Sequence, residues 1–150
     1  MTSRDVDQKE HMTDTLSNIA FDDLVEDDRK GPYVEQITAD LAGRLAGPIG
    51  QPHDVALAPP AVFPVIFLKA LRASMGGIPA GSVLAKQELR FGEPVPVGES
   101  VRTTTWIGEK YVRRERPYVV IRFDVRRADG ALAVSGSKTI MWPTGPGDQA

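Results

Sequence analysis

The sequence holds few side chains suited to acid–base chemistry, and two of them are adjacent. Its only histidines are His11 and His53, and His53 is followed directly by Asp54 in a proline-containing stretch. An imidazole beside a carboxylate can act as a general acid and base. His53 and Asp54 are therefore the candidate catalytic residues. The alternative interpretation is a surface-loop histidine next to a turn aspartate.

An amide and a run of cations are the other polar candidates. Gln87 falls on the apolar face of a predicted strand, where its amide needs a partner, either a ligand carbonyl or the protein's own backbone. Lys110, Arg113, Arg114 and Arg116 lie in one predicted hairpin connection. Because arginine suits bidentate phosphate recognition, Arg113 and Arg114 are candidate phosphate contacts; the alternative is a solvated loop.

The composition excludes several classes of function. The 150 residues carry 18 Lys and Arg against 20 Asp and Glu, and a net charge of −2 gives no electrostatic basis for binding nucleic acid. Without cysteine there is no disulfide, no thiolate nucleophile and no Cys-ligated metal site. The sequence lacks a dinucleotide fingerprint, a P-loop and a serine nucleophile elbow. We therefore expect no cofactor and no metal.

No segment predicts attachment to a membrane. The first residues are polar, and the most apolar run, Val55–Leu68, is interrupted by three prolines. That run is also shorter than the roughly 20 apolar residues of a spanning helix. We expect a cytoplasmic protein with a flexible tail over residues 1–15, one domain over 16–143 and a flexible end over 144–150.

The first half of the chain predicts one short strand and two helices. Tyr33–Ile37 is the strand, and Thr38 is placed to cap a short helix. Ala61–Met75 is the strongest helix candidate, because it is apolar on nearly all sides and Gly76-Gly77 follows it. Such a helix is buried within a fold rather than laid on its surface.

From Ser82 the apolar period changes to two, which predicts four strands joined by hairpins. The turn between the last two strands is predicted to be two residues, Asp129-Gly130. One face of the first strand is expected to carry Val83, Ala85, Gln87, Leu89 and Phe91. The other strands are Val101–Trp106, Pro117–Arg127 and Ala131–Trp142.

One buried helix followed by an antiparallel meander requires a sheet that wraps around the helix. This α+β arrangement is the hotdog fold. A single such domain leaves a sheet edge and part of a helix face uncovered, so we expect a dimer or a dimer of heterodimers.

Three segments resemble the MaoC-like hotdog family, and the similarity is greatest to its FAS1-type dehydratase branch. They are APPAVFP at Ala58–Pro64, VLAKQELRFGEPVPVGESV at Val83–Val101 and FDVRRADGALAVSGSKTIMWP at Phe123–Pro143. The resemblance implies reversible hydration of an enoyl thioester carried on coenzyme A or acyl carrier protein. Phe63, Phe67 and Trp106 are candidates to line the acyl tunnel of such an enzyme; the alternative is that they are ordinary core or dimer-interface residues.

The catalytic loop of the family is not preserved. The family places an Asp and a His on this loop, but counting from Thr38 puts Gln51 and Ala56 at those two positions. A second register puts His53 on the catalytic His, but then Pro48 replaces the Asp. The segment that usually overhangs the site is also partly missing. We therefore predict a non-catalytic, substrate-shaping subunit that pairs with a second MaoC-like chain carrying the Asp/His dyad. The shortened segment favours a bulky acyl-CoA, steroid- or lipid-derived.

Three other functions compete with this prediction. A hotdog thioesterase is one, although Ala61–Met75 contains no Asp or Glu to act as its base. An acyl-CoA-binding hotdog module without turnover is the second. The third is a self-sufficient hydratase that uses His53 and Asp54.

Overall fold

The computed structural model describes residues 19–46 and 56–144. A 3-10 turn at Phe21–Asp23 precedes the first strand. The regular elements in chain order are β1 (Lys30–Gln36), α1 (Ala39–Ala46), α2 (Val62–Met75), β2 (Val83–Phe91), β3 (Ser100–Arg113), β4 (Arg116–Arg126) and β5 (Leu132–Met141). The predicted tail, the predicted flexible end after Thr144 and the loop that carries His53 and Asp54 lie outside the described residues.

Both predicted helices are confirmed, and local signals set their ends. The Thr38 hydroxyl accepts a hydrogen bond from the Leu41 amide at 3.1 Å, which caps α1. Gly76, at φ 76°, ends α2 in the left-handed conformation that glycine adopts without steric cost. Its amide and that of Gly77 donate to carbonyls of the last turn of α2.

The five strands form one antiparallel sheet in the order β1-β3-β4-β5-β2. The predicted meander is therefore wrong at one connection, because β2 pairs with β5 and not with β3. The segment between β2 and β3 crosses the end of the sheet, anchored by the buried Val95, whose carbonyl accepts from the Ala58 amide at 2.8 Å. The crossover leaves β2 at one edge of the sheet and β1 at the other.

Two turns differ from the sequence prediction. The basic run is not one connection, since Lys110 and Arg113 belong to β3 and Arg116 begins β4. Arg114 and Glu115 alone form the turn, with φ values of 51° and 64°. The turn after β4 has three residues, 128–130, because the Arg127 amide donates to the Ala131 carbonyl; this pair closes the loop around Gly130 at φ 89°.

A β-bulge in β2 changes which of its side chains share a face. Leu84 pairs with Ile140 and Lys86 with Thr139, so Ala85 is the extra residue. The side-chain alternation therefore reverses at Ala85. Leu84, and not Val83, lies on the face of Gln87, and the predicted alternation is wrong for Val83 and Ala85.

The core lies between α2 and the face of the sheet turned towards it, here called the inner face. α2 packs mainly on β1 and β3. This packing leaves the inner face of β2 less covered than the inner faces of the central strands. The largest fully buried side chains are Trp142, Phe67, Phe123, Ile37, Ile66, Leu71, Ile121, Ile140, Val62, Val95, Val101 and Val119.

Candidate functional site

The inner face is open at the β2 edge, where apolar and polar side chains lie side by side. We call the residues Leu84, Gln87, Leu89 and Phe91 of β2, together with Lys138 of β5, the inner edge surface. The strand register places Gln87 directly opposite Lys138. Leu84 and Phe91 remain 53% and 54% exposed. An apolar surface with two polar groups at its centre can receive an amphiphilic ligand or a partner chain.

Two phenylalanines of α2 form the floor of this surface. The Phe67 ring stacks on Phe123 with centroids 4.0 Å apart and an interplanar angle of 13°. Phe63 meets Phe91 edge to face, with centroids 6.0 Å apart. Phe63 and Phe67 are themselves buried, so in the protomer they are core side chains that adjoin the surface.

Lys138 is the unusual member of the inner edge surface. Its Nζ lies 5.3 Å from the centroid of the Phe67 ring, on the side of the sheet where Val134 and Ile140 are buried. Partial burial lowers the pKa of the Lys138 ammonium, because desolvation disfavours the charged form. The aromatic face partly offsets that cost through a cation–π contact.

The strand pattern carried a signal for Lys138 that the sequence prediction missed. Lys138 is in phase with Val134, Gly136 and Ile140 of the same strand. A lone lysine at an apolar phase of a buried strand is a candidate for function.

The Gln87 amide makes no hydrogen bond with any of the described residues. One alternative for Gln87 was a hydrogen bond from its amide to the protein's own backbone. Residues 19–46 and 56–144 contain no such bond. The amide is exposed on the inner edge surface, opposite Lys138. Within the described part of the chain its N–H groups and its oxygen are therefore unpaired.

The predicted phosphate contacts lie on the outer face of the sheet, away from the inner edge surface. Arg113 and Arg114 line an open concavity of about 580 Å³ together with Tyr111 and Tyr118, whose rings stack at 5.2 Å. Trp106 also lies on the outer face, with the Arg29 guanidinium 3.9 Å above its ring. The structure thus separates these side chains from Phe63, Phe67 and Gln87.

An ion pair at the same concavity perturbs one carboxylate. The Lys86 ammonium donates to the Glu88 carboxylate at 2.9 Å and holds the pKa of that carboxyl below its ordinary value. Both side chains are more than half exposed, so the pair contributes little to stability.

The candidate catalytic residues His53 and Asp54 lie outside the described residues, and their role stays a prediction. Across the described part of the chain, no three His, Asp or Glu side chains are grouped to hold a metal ion. No helix within residues 19–46 and 56–144 is long and apolar enough to cross a membrane.

Comparison with solved structures gives the fold. A MaoC-like dehydratase from Rhodospirillum rubrum superposes with a TM-score of 0.66 and 19% identity, over 83% of this chain and 97% of that one. The R-hydratase PhaJ1 from Pseudomonas aeruginosa superposes with a TM-score of 0.68 and 22% identity, over 85% of this chain and 88% of that one. The HadBC 3R-hydroxyacyl-ACP dehydratase complex from Mycobacterium tuberculosis superposes with a TM-score of 0.62 and 19% identity, over 74% of this chain and 91% of that one.

The chain therefore has the hotdog fold, and its structural neighbours include MaoC-like dehydratases and hydratases. No protein-family model and no curated protein matches the sequence. The predicted fold class is confirmed, and the predicted resemblance agrees with these neighbours.

Proposed function

We propose that this chain is a subunit of a MaoC-like enoyl-thioester hydratase or dehydratase. The reaction is the reversible addition of water across a 2-enoyl thioester: hydroxyl bonds to the β-carbon and a proton to the α-carbon. This chain is the non-catalytic partner that shapes the substrate site. A second MaoC-like hotdog chain supplies the Asp/His dyad that moves the proton.

The observation that carries the proposal is an uncovered, apolar β2 edge on a fold shared with a two-chain dehydratase. Val83, Leu84 and Phe91 of β2 are each at least half exposed, and Leu68 of α2 is 40% exposed. An edge strand with such side chains is a template for pairing with another chain. A second hotdog sheet paired along β2 would cover its backbone groups and the apolar side chains of Val83 and Leu84.

The non-catalytic role rests on the sequence of the loop before α2. In neither register does the loop carry both members of the dyad, since Gln51 and Ala56 or Pro48 and His53 stand at the two positions. The shortened segment supports a wide site, which suits a bulky acyl-CoA, steroid- or lipid-derived, in the cytoplasm. A carrier-protein thioester is the other substrate form that the proposal admits.

The thioesterase alternative finds no support in α2. Val62–Met75 contains no carboxylate that could serve as a base or nucleophile on that helix. Arg113 and Arg114, beside the outer concavity, keep their proposed role as contacts for coenzyme A phosphates. An acyl-CoA-binding module without turnover uses the same contacts, and activity measurements separate it from the hydratase subunit.

The test is hydration of a panel of enoyl-CoA substrates by the purified chain, alone and after co-expression with candidate MaoC-like partner chains. We expect activity only in the complex, and we expect His53→Ala to leave that activity within about twofold, since the proton transfer occurs in the partner. Activity of the isolated chain that His53→Ala abolishes would overturn the non-catalytic role. Acyl-CoA binding without hydration in every complex would favour the binding module.

A further inference from the structure

We infer that Lys138 and Gln87 form a binding site for the carboxylate of an amphiphilic ligand whose apolar body lies on Leu89 and Phe91. The biological occupant rests on the proposed function: an acyl group with a carboxylate remote from its thioester. The site itself is inferred from the geometry of the inner edge surface alone.

The first step is that Lys138 has no oxygen partner among the described residues. Every other described lysine contacts an acceptor oxygen: Lys30 that of Asp28, Lys69 that of Glu35, Lys86 that of Glu88, and Lys110 the Phe21 carbonyl. Among the residues in the structure, Lys138 alone has only an aromatic ring. An ammonium has three donors, and a ring face satisfies none of them as an oxygen does.

The second step is the convergence of donors. Gln87 lies opposite Lys138 in the ladder, and side chains so placed have Cβ atoms about 4.5–5.5 Å apart. The ammonium and the amide N–H groups can thus reach one ligand group together. A carboxylate fits best, because it has two acceptor oxygens and the charge that neutralises Lys138.

The third step is the apolar surroundings. Phe91 is half exposed on the same face, and Phe63 supports it from below. Any occupant that covers Phe91 also desolvates the neighbouring Lys138 ammonium, which is costly unless an opposite charge arrives with it. A ligand that joins an apolar body to a carboxylate meets both requirements.

The experiment uses octanoate and the neutral 1-octanol as matched probes, titrated into the ¹⁵N-labelled full chain and followed by amide chemical shifts. We expect octanoate to bind more tightly than 1-octanol, with shifts at β2 and β5. Lys138→Met should weaken octanoate binding about tenfold and leave 1-octanol binding unchanged. Lys138→Arg should retain most of the octanoate affinity, because it keeps the charge.

Lys86→Met is the control, since it removes a lysine from the outer face of the same sheet. Equal affinity for the two probes, an equal loss in Lys86→Met, or shifts centred on Arg113 and Arg114 would each overturn the site. One further result would also overturn the site: a Lys138→Met variant that binds octanoate normally but no longer associates with its partner chain. Lys138 would then bind a carboxylate of the partner chain and not that of a ligand. None of these measurements depends on hydration, so this site and the proposed function can fail separately.

Discussion

The β2 edge gives the most direct test of how this chain associates. Fully burying a leucine side chain contributes about 1.5–3 kcal/mol. Because 53% of Leu84 is still exposed in the protomer, roughly half of that, about 1 kcal/mol, remains to be gained at an interface. Leu84→Ala should therefore weaken association about fivefold.

A charge at the same position should act more strongly. Leu84→Asp loses the same apolar contact and also buries a carboxylate without a partner, which costs at least about 2 kcal/mol. We expect the Kd for association to rise on the order of 100-fold or more. The protomer should keep its melting temperature, since the position is half exposed before association.

Val34 provides a matched control on the opposite edge of the sheet. It is an aliphatic residue of β1 and is 63% exposed. Sedimentation velocity of the purified chain, alone and with a candidate partner, measures the Kd of each variant. If Val34→Asp weakened association as much as Leu84→Asp, or if Leu84→Asp had no effect, β2 would not be the interface.

Three further predictions concern the sheet itself. Gly136→Ala should destabilise the fold by about 1–3 kcal/mol in urea denaturation, because the added Cβ would meet the Glu88 carbonyl oxygen of the neighbouring strand. Lys86→Met should raise the pKa of the Glu88 carboxyl towards its ordinary value, as followed by a ¹³C NMR titration. Because the pKa of Glu88 is lowered in the folded wild type, the small stabilisation from the ion pair is present above the ordinary carboxyl pKa and is lost as the pH falls and Glu88 takes up a proton. Lys138→Met should raise the melting temperature of the isolated chain at neutral pH, since burial disfavours the charged form, and the gain should shrink as the pH rises and the wild-type lysine loses its proton.

Local signals in the sequence were enough to predict the two helices and the later strands. Thr38 before α1 and Gly76 after α2 act within one turn of the backbone, so their effect does not depend on the rest of the fold. The two-residue period after Ser82 predicted all four later strands for the same reason, since each strand shows its own alternation. The hotdog class followed from one apolar helix and these strands together.

The tertiary structure decided how the strands pair and what each side chain faces. No local sequence signal predicts that β2 pairs with β5. That pairing joins segments about 50 residues apart along the chain and depends on a crossover anchored by Val95. The bulge at Ala85 follows from this pairing, and it moves Leu84 onto the inner face. Lys138 shows the same dependence. The sequence shows that Lys138 falls on the apolar face of β5. Its contact with Phe67 and its position opposite Gln87 exist only once α2 and β2 are packed beside it.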